Sequence, residues 1–243
     1  MWALFLKEIK SFLSSLTGYI VIAIFLAVTG LFLWVIPSGS NILDYGYANL
    51  DGLFVIGPFV FLFLVPAVTM RSFADERKSG TIELLFTRPL SDFQIVLAKY
   101  LSSVVLVALS LLPTLIYYIT VYQLGMPVGN IDSGGFWGSF IGLFLLGAVF
   151  VSVGVFSSAV TDNPVVSFVL SVFLSAFLYL GFEFISSLEL FGNFDLFIKS
   201  LGMSDHYSSI SRGVVDTRDL VYFFSVIGLF LFLTKFSISS RKW

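Results

Sequence analysis

An all-α integral membrane protein with six transmembrane helices is the fold class the sequence predicts, and three observations predict it. Of 243 residues, 58% are hydrophobic and only 12% are charged, about half the charged share of an average soluble domain. The mean hydropathy is +1.00. Six uncharged stretches, at 17–36, 53–70, 100–124, 136–160, 164–182 and 220–234, approach the length of about 20 residues that a helix needs to cross a hydrocarbon core of about 30 Å. The chain 1–243 reads as a single transmembrane domain, without an internal repeat or a soluble insertion.

Composition also excludes function classes. Thirteen Lys and Arg against fifteen Asp and Glu leave no basic excess to neutralise a phosphate backbone, so nucleic acid is not a partner. Without Cys the chain has no thiolate metal site, thiol catalysis or disulfide. A single His makes a histidine-built site implausible, and no HExxH motif occurs. No Gly is followed by Lys, so a GxxxxGK[ST] phosphate loop is absent. All six spans lack charges, which counts against an autonomous transporter coupled to ions through ionisable groups in the membrane. An autonomous secondary transporter or channel without an ATPase partner remains the alternative reading.

Taking the elements in order, Trp2, Phe5, Leu6, Ile9, Phe12 and Leu13 recur at helical spacing with Lys7, Lys10, Ser11 and Ser14 opposite. This predicts an N-terminal amphipathic helix in the headgroup layer, with Gly18 permitting the bend into span one. A plain extension of span one is the alternative. A cleaved signal peptide fits less well, because the apolar run exceeds a 7–15-residue h-region and no A-x-A site follows. Span two carries Gly57, Pro58 and Pro66, and span three Pro113, so backbone carbonyls freed there must find partners in packing or water. In span four Gly134, Gly138 and Gly142 repeat every four residues. Backbones can approach closely along such a stripe, first within the subunit and second in a dimer. The short span six is completed by Tyr222 and Lys235 at the interfaces.

Orientation follows from the basic residues. Ten of the thirteen fall on the side of both termini and three on the other. Both termini are therefore cytoplasmic, which places the chain as a multi-pass protein of the cytoplasmic (inner) membrane.

Two connections are long enough to hold structure. The first, 71–99, packs five basic and four acidic residues into 29 positions around Ile82, Leu84, Leu85, Phe86 and Leu90. Gly80 ends a continuation of span two, and 81–87 forms a short helix that Pro89 stops. Ser91 with Gln94 fits a capping box that opens span three. A short helix between two breakers can receive force from a soluble partner, whereas composition alone favours a solvated charged hairpin that sets orientation. The second connection, 183–219, has six acidic and three basic residues, with Leu190, Phe191, Phe194, Phe197, Ile198 and Leu201 at helical spacing before Gly202. It predicts a helix against the opposite membrane surface. His206 beside Asp205 invites a metal or proton-relay role, but one imidazole and one carboxylate fall short of a zinc site. A structural hydrogen bond is favoured, and Arg212 and Gly213 shape a turn. Glu183, ending span five, must lie near water, because an acid at mid-membrane costs about 2.5–3.5 kcal/mol.

The run Phe73, Glu76, Arg77, Gly80, Thr81, Glu83, Leu84 and Leu85, followed by Pro89 and Lys99, resembles the signature of the ABC-2 type permease family, the membrane subunits of ATP-binding-cassette exporters. The likeness extends to the six-span layout, to the amphipathic start and to Asp205–Tyr222. That last segment, with His206, Arg212, Gly213 and Val214, is similar to the family's HF-x-x-x-x-RG-V pattern, Tyr207 standing where Phe is usual. The chain is most similar to permease subunits of gliding-motility transporters of Bacteroidetes, and nitrous-oxide-reductase maturation permeases are also similar. The resemblance implies that the 71–99 connection is a coupling helix docking on a separate cytoplasmic ATPase subunit. It further implies that ATP and Mg²⁺ are bound by that partner and no cofactor by this chain, and that short external helices cap the path. A second permease half, a copy or a related subunit, and an auxiliary membrane subunit are the further partners, within the lipid bilayer.

Overall fold

The structure, a computed structural model, describes residues 1–83, 90–189 and 192–240, apart from the side chains of Tyr45 and Asn193. The expectations for Leu84, Leu85, Phe86 and Pro89, and for Leu190 and Phe191, lie outside the described residues.

The described chain is helical and contains six helices long and apolar enough to cross a membrane: Leu16–Trp34, Asp51–Lys78, Asp92–Leu124, Ser133–Val160, Pro164–Ser187 and Thr217–Ser239. Their regular pieces are α1 (Trp2–Ser14), α2 (Leu16–Trp34), α3 (Ile42–Tyr45), α4 (Asp51–Thr69), α5 (Ala74–Lys78), α6 (Asp92–Leu111), α7 (Leu115–Leu124), α8 (Ser133–Val160), α9 (Pro164–Ala176), α10 (Phe182–Ser187), α11 (Asp195–Lys199), α12 (Met203–Ile210) and α13 (Thr217–Ser239). Side chains set several of the boundaries. Asp132, Asn163 and Asp216 each accept a backbone N–H at the start of α8, α9 and α13. Ser91 and Gln94 form the complete capping box at α6, as their spacing predicts.

The prolines act less disruptively than the sequence suggests. Pro58 and Pro66 sit inside an unbroken α4, and Pro113 produces one tight turn, Leu112–Thr114, between α6 and α7. The break after α1 is at Ser15, which is extended (φ −95°, ψ 148°). Gly18 is instead a point of close approach, since a Cβ there would lie 2.6 Å from the Phe12 carbonyl oxygen.

Helix α8 is the centre of the bundle and packs against α4, α6, α9 and α13. Its small residues permit this. A Cβ on Gly147 would meet Val107 and Phe61, and one on Gly154 would overlap the Thr69 hydroxyl. With no hydrophobic driving force between helices in lipid, such close van der Waals packing is what holds them together. Several interior hydroxyls turn back on their own helices, as in Thr69 to the Val65 carbonyl (2.9 Å) and Ser157 to the Val153 carbonyl (2.9 Å), and so stay satisfied away from water, whereas those of Ser167, Ser171 and Ser175 on α9 are buried without a partner among the described residues.

The glycine stripe of α8 packs on α12 and the turn after it. A Cβ at Gly142 would reach Ile210 at 3.0 Å, and one at Gly138 would reach the Gly213 Cα at 2.7 Å. Gly213 takes φ +86°, and a Cβ on it would lie 2.9 Å from the Gly135 backbone, so both its conformation and its space demand glycine. A Cβ on Gly134 would meet only the Asp132 side chain, at 3.5 Å. Gly138→Ala should therefore destabilise the fold by about 1–3 kcal/mol, the usual cost of overpacking. Gly134→Ala should change it by less than about 0.5 kcal/mol. An SDS unfolding titration of the two variants checks the contrast, and equal midpoints would contradict it.

Candidate functional site

Both termini, the 71–91 connection and the turn at 161–163 meet at one end of the bundle. The Ser239 hydroxyl reaches Asp92 (3.0 Å), Arg77 reaches Asp162 (3.7 Å), and Glu8 of α1 reaches Lys99 of α6 (3.5 Å).

Lys99 is the hub of this end. It is 2% exposed, and a buried ammonium requires acceptors on several sides. Its Nζ donates to the Ser72 carbonyl (2.6 Å) and to Glu76 Oε1 (2.9 Å), lies 3.5 Å from Glu8 Oε1, and sits 5.0 Å from the centre of the Phe73 ring. One cation therefore ties together the N-terminal helix, the exit of the second span and the start of the third.

A second anchor holds the backbone just before α5. Ser158 of α8 accepts the N–H groups of Phe73 (2.9 Å) and Ala74 (3.0 Å) through its hydroxyl oxygen and donates to the Met70 carbonyl (3.0 Å). That hydroxyl satisfies the helix end where the span gives way to the connection.

These contacts divide the predicted coupling residues into two sets. Phe73 is buried, and Glu76 and Arg77 are turned inward to Lys99 and Asp162. Gly80, Thr81 and Glu83 are exposed, as are their neighbours Asp75, Lys78 and Ser79. Gly80 takes φ +70° in open space, the left-handed conformation that ends a helix. The hydroxyls of Ser79 and Thr81, 2.9 Å apart, brace the turn against α5. Glu83 stands on the helical residues that follow.

Sequence reasoning missed Glu8, Ser158 and Asp162. The available signal for Glu8 was its place four residues after Leu4 and four before Phe12, on the side of α1 that faces the bundle. Its partner is 91 residues away, however, and spacing cannot show that.

At the opposite end, His206 finds its partner in Asp219 rather than in the neighbouring Asp205. Nδ1 is 2.6 Å from Asp219 Oδ1, Nε2 is 2.9 Å from the Ser200 carbonyl, and the ring stacks on Tyr222 at 3.9 Å. Asp205 lies 3.7 Å from Lys199. Both imidazole nitrogens are thus engaged within the protein, joining α12 to the first turn of α13. Among the described residues no three His, Asp or Glu side chains gather as metal ligands would. Tyr207 donates its hydroxyl to the Phe54 carbonyl (2.7 Å). Burial, and then the nearby Tyr179, push this phenol well above the usual tyrosine range, which keeps it a donor at neutral pH. Arg212 is exposed beside the Gly213 turn. The region expected as one helix before Gly202 forms a tight turn at Gly192–Phe194, then α11, with α12 beginning after Gly202.

Residues 37–203 match the model of a protein family described as ABC-2 family transporter protein. The match contains the whole 71–99 connection and leaves α1 and the His206–Gly213 segment outside it. No curated protein matches the chain.

Proposed function

We propose that this chain, which belongs to the ABC-2 family of transporter proteins, is the membrane-spanning permease subunit of an exporter of the gliding-motility type, driven by a separate ATPase subunit. The subtype reading rests on the resemblance of Phe73–Leu85 and Asp205–Tyr222. The side to which the sequence assigns both termini and ten of the thirteen basic residues is the cytoplasmic one, and the membrane is the inner membrane. ATP and Mg²⁺ bind to the partner. A second permease half, a copy or a related subunit, completes the path, and an auxiliary membrane subunit is a further partner.

The observation that carries this reading is the Lys99 hub. The exposed residues 78–81 and Glu83 follow a base in which Lys99 of α6, itself beside Glu8 of α1, holds the Glu76 side chain and Ser158 of α8 holds the Phe73 backbone. Movement imposed on the exposed part cannot be absorbed locally and passes to the spans. The ATPase would bind one of two arrangements of these helices better than the other, which is what shifts a conformational equilibrium.

Co-expression of the chain with the ATPase subunit and quantitative co-purification in nanodiscs tests the assignment. Stoichiometric recovery of an ATP-hydrolysing subunit is expected. Recovery no greater than with an unrelated six-span protein would overturn it.

A further inference from the structure

A cleft of about 340 Å³ opens at the end of the bundle opposite the termini, between the start of α4, the junction of α9 with α10, and α11–α12. Its volume falls in the range of small-molecule sites, about 300–1,000 Å³.

Three carboxylates line it, Asp51, Glu183 and Asp205, against one cation, Lys199. Lys199 lies 3.7 Å from Asp205, so that pair is internally balanced. Asp51 accepts the Asn49 amide (3.1 Å) and Glu183 accepts the Ser204 hydroxyl (2.6 Å). Both of these donors are neutral. Among the described residues neither carboxylate has a cationic partner, and two negative charges remain for whatever enters.

The second observation is Tyr179. It is 7% exposed, lines the cleft and makes no hydrogen bond among the described residues, and its hydroxyl, unlike the ring, keeps access to solvent, so it is a donor open to an occupant of the cleft. It lies in a single wide π-type turn, Phe177–Gly181, a local insertion frequent at functional sites. Glu183 follows one turn later. Phe59 packs edge-on to the Tyr179 ring, with centroids 6.1 Å apart, and is itself half exposed.

Carboxylates around aromatic faces and a free phenol are the chemistry that recognises an organic ammonium, through ion pairing and cation–π contact. The geometry points to this cleft as a binding site for an alkyl- or arylalkylammonium group, with Glu183 and Asp51 as counter-ions and Tyr179 as the hydrogen-bonding and aromatic wall. Such a group is presented either by a soluble amine or by the headgroup of an aminophospholipid. The inference does not depend on the ATPase reading, because the site is assayed on this chain alone.

The test is binding of phenethylammonium to the full chain in phosphatidylcholine nanodiscs, with neutral 2-phenylethanol and anionic 3-phenylpropionate as matched probes. Phenethylammonium should bind at least ten-fold tighter than either. Glu183→Gln keeps the acceptor for Ser204 and should weaken binding at least ten-fold. Asp51→Asn, at an exposed helix start, should weaken it several-fold, as should Tyr179→Phe, while Arg71→Gln at the other end should leave it unchanged. Exchanging the lipid for phosphatidylethanolamine separates the sources. A several-fold weaker apparent affinity assigns the site to the lipid headgroup and an unchanged one to a soluble amine, and both uphold the site. Equal affinity for 2-phenylethanol, no measurable phenethylammonium binding, or wild-type affinity in both Glu183→Gln and Asp51→Asn would overturn it.

Discussion

Lys99→Met should cost about 3–5 kcal/mol of folding free energy, the usual penalty when one member of a buried ion pair is removed and the other is left uncompensated. Lys99 is 2% exposed, while Glu8 and Glu76 are mostly buried beside it. Methionine fills much of the same volume but offers no donor to either carboxylate or to the Ser72 carbonyl. The triple variant Lys99→Met, Glu8→Gln, Glu76→Gln removes the charges together and should recover more than half of the loss, because replacing a whole buried ionic group is far less costly than breaking it. An SDS titration of the folded fraction measures both. A loss below about 1 kcal/mol in the single variant would show that the hub does not hold α1, α5 and α6 together.

The second large effect is expected on association rather than on folding. Asp75 and Glu83 are exposed on either side of the Gly80 turn, with Lys78 exposed between them and Arg71 4.0 Å from Asp75, so a partner docking there meets a mixed charged face and presents cations to the two carboxylates. Reversing both, Asp75→Lys with Glu83→Lys, replaces attraction by like-charge contact at a cost of several kcal/mol. Affinity for the ATPase subunit should fall at least 30-fold while the unfolding midpoint of the isolated chain stays unchanged. Reversal of Glu76 would not discriminate, because Glu76 bonds to Lys99 inside the bundle and its loss perturbs the fold itself. Wild-type affinity in the double reversal would remove this face from the docking surface.

The six spans were legible because lipid leaves the sequence little freedom. Each span must be long, uncharged and internally hydrogen-bonded, and that constraint is local. Their ends were less legible. The last helix starts at Thr217 and runs to Ser239, beyond the uncharged stretch 220–234. Asp216 caps its start, Asp219 is hydrogen-bonded to His206, and Lys235 extends its end. Each of those polar residues looks like a boundary when its partner is unknown.

The coupling region was half legible. Gly80 ends its helix and Ser91 caps the next where their chemistry requires. Which of Phe73, Glu76, Arg77 and Glu83 face inward depends on Lys99, Ser158, Asp162 and Glu8, which lie on other helices. The glycine stripe shows the same division. Its four-residue period was plain, whereas its partner, the Gly213 turn, could come only from the packing of α12 on α8.

The central claim, that work enters from a separate ATPase through the 78–83 segment, has a direct test because the chain has no Cys. A single photo-reactive cross-linker can be placed at Thr81→Cys or, at the opposite end, at Met126→Cys, which is 94% exposed, in nanodiscs with the ATPase subunit. Cross-links to the ATPase from position 81, changing in yield between the nucleotide-free and ATP-bound states, and none from position 126, are the predicted result. Absence of cross-links at 81, or equal yields at both positions, would contradict the account.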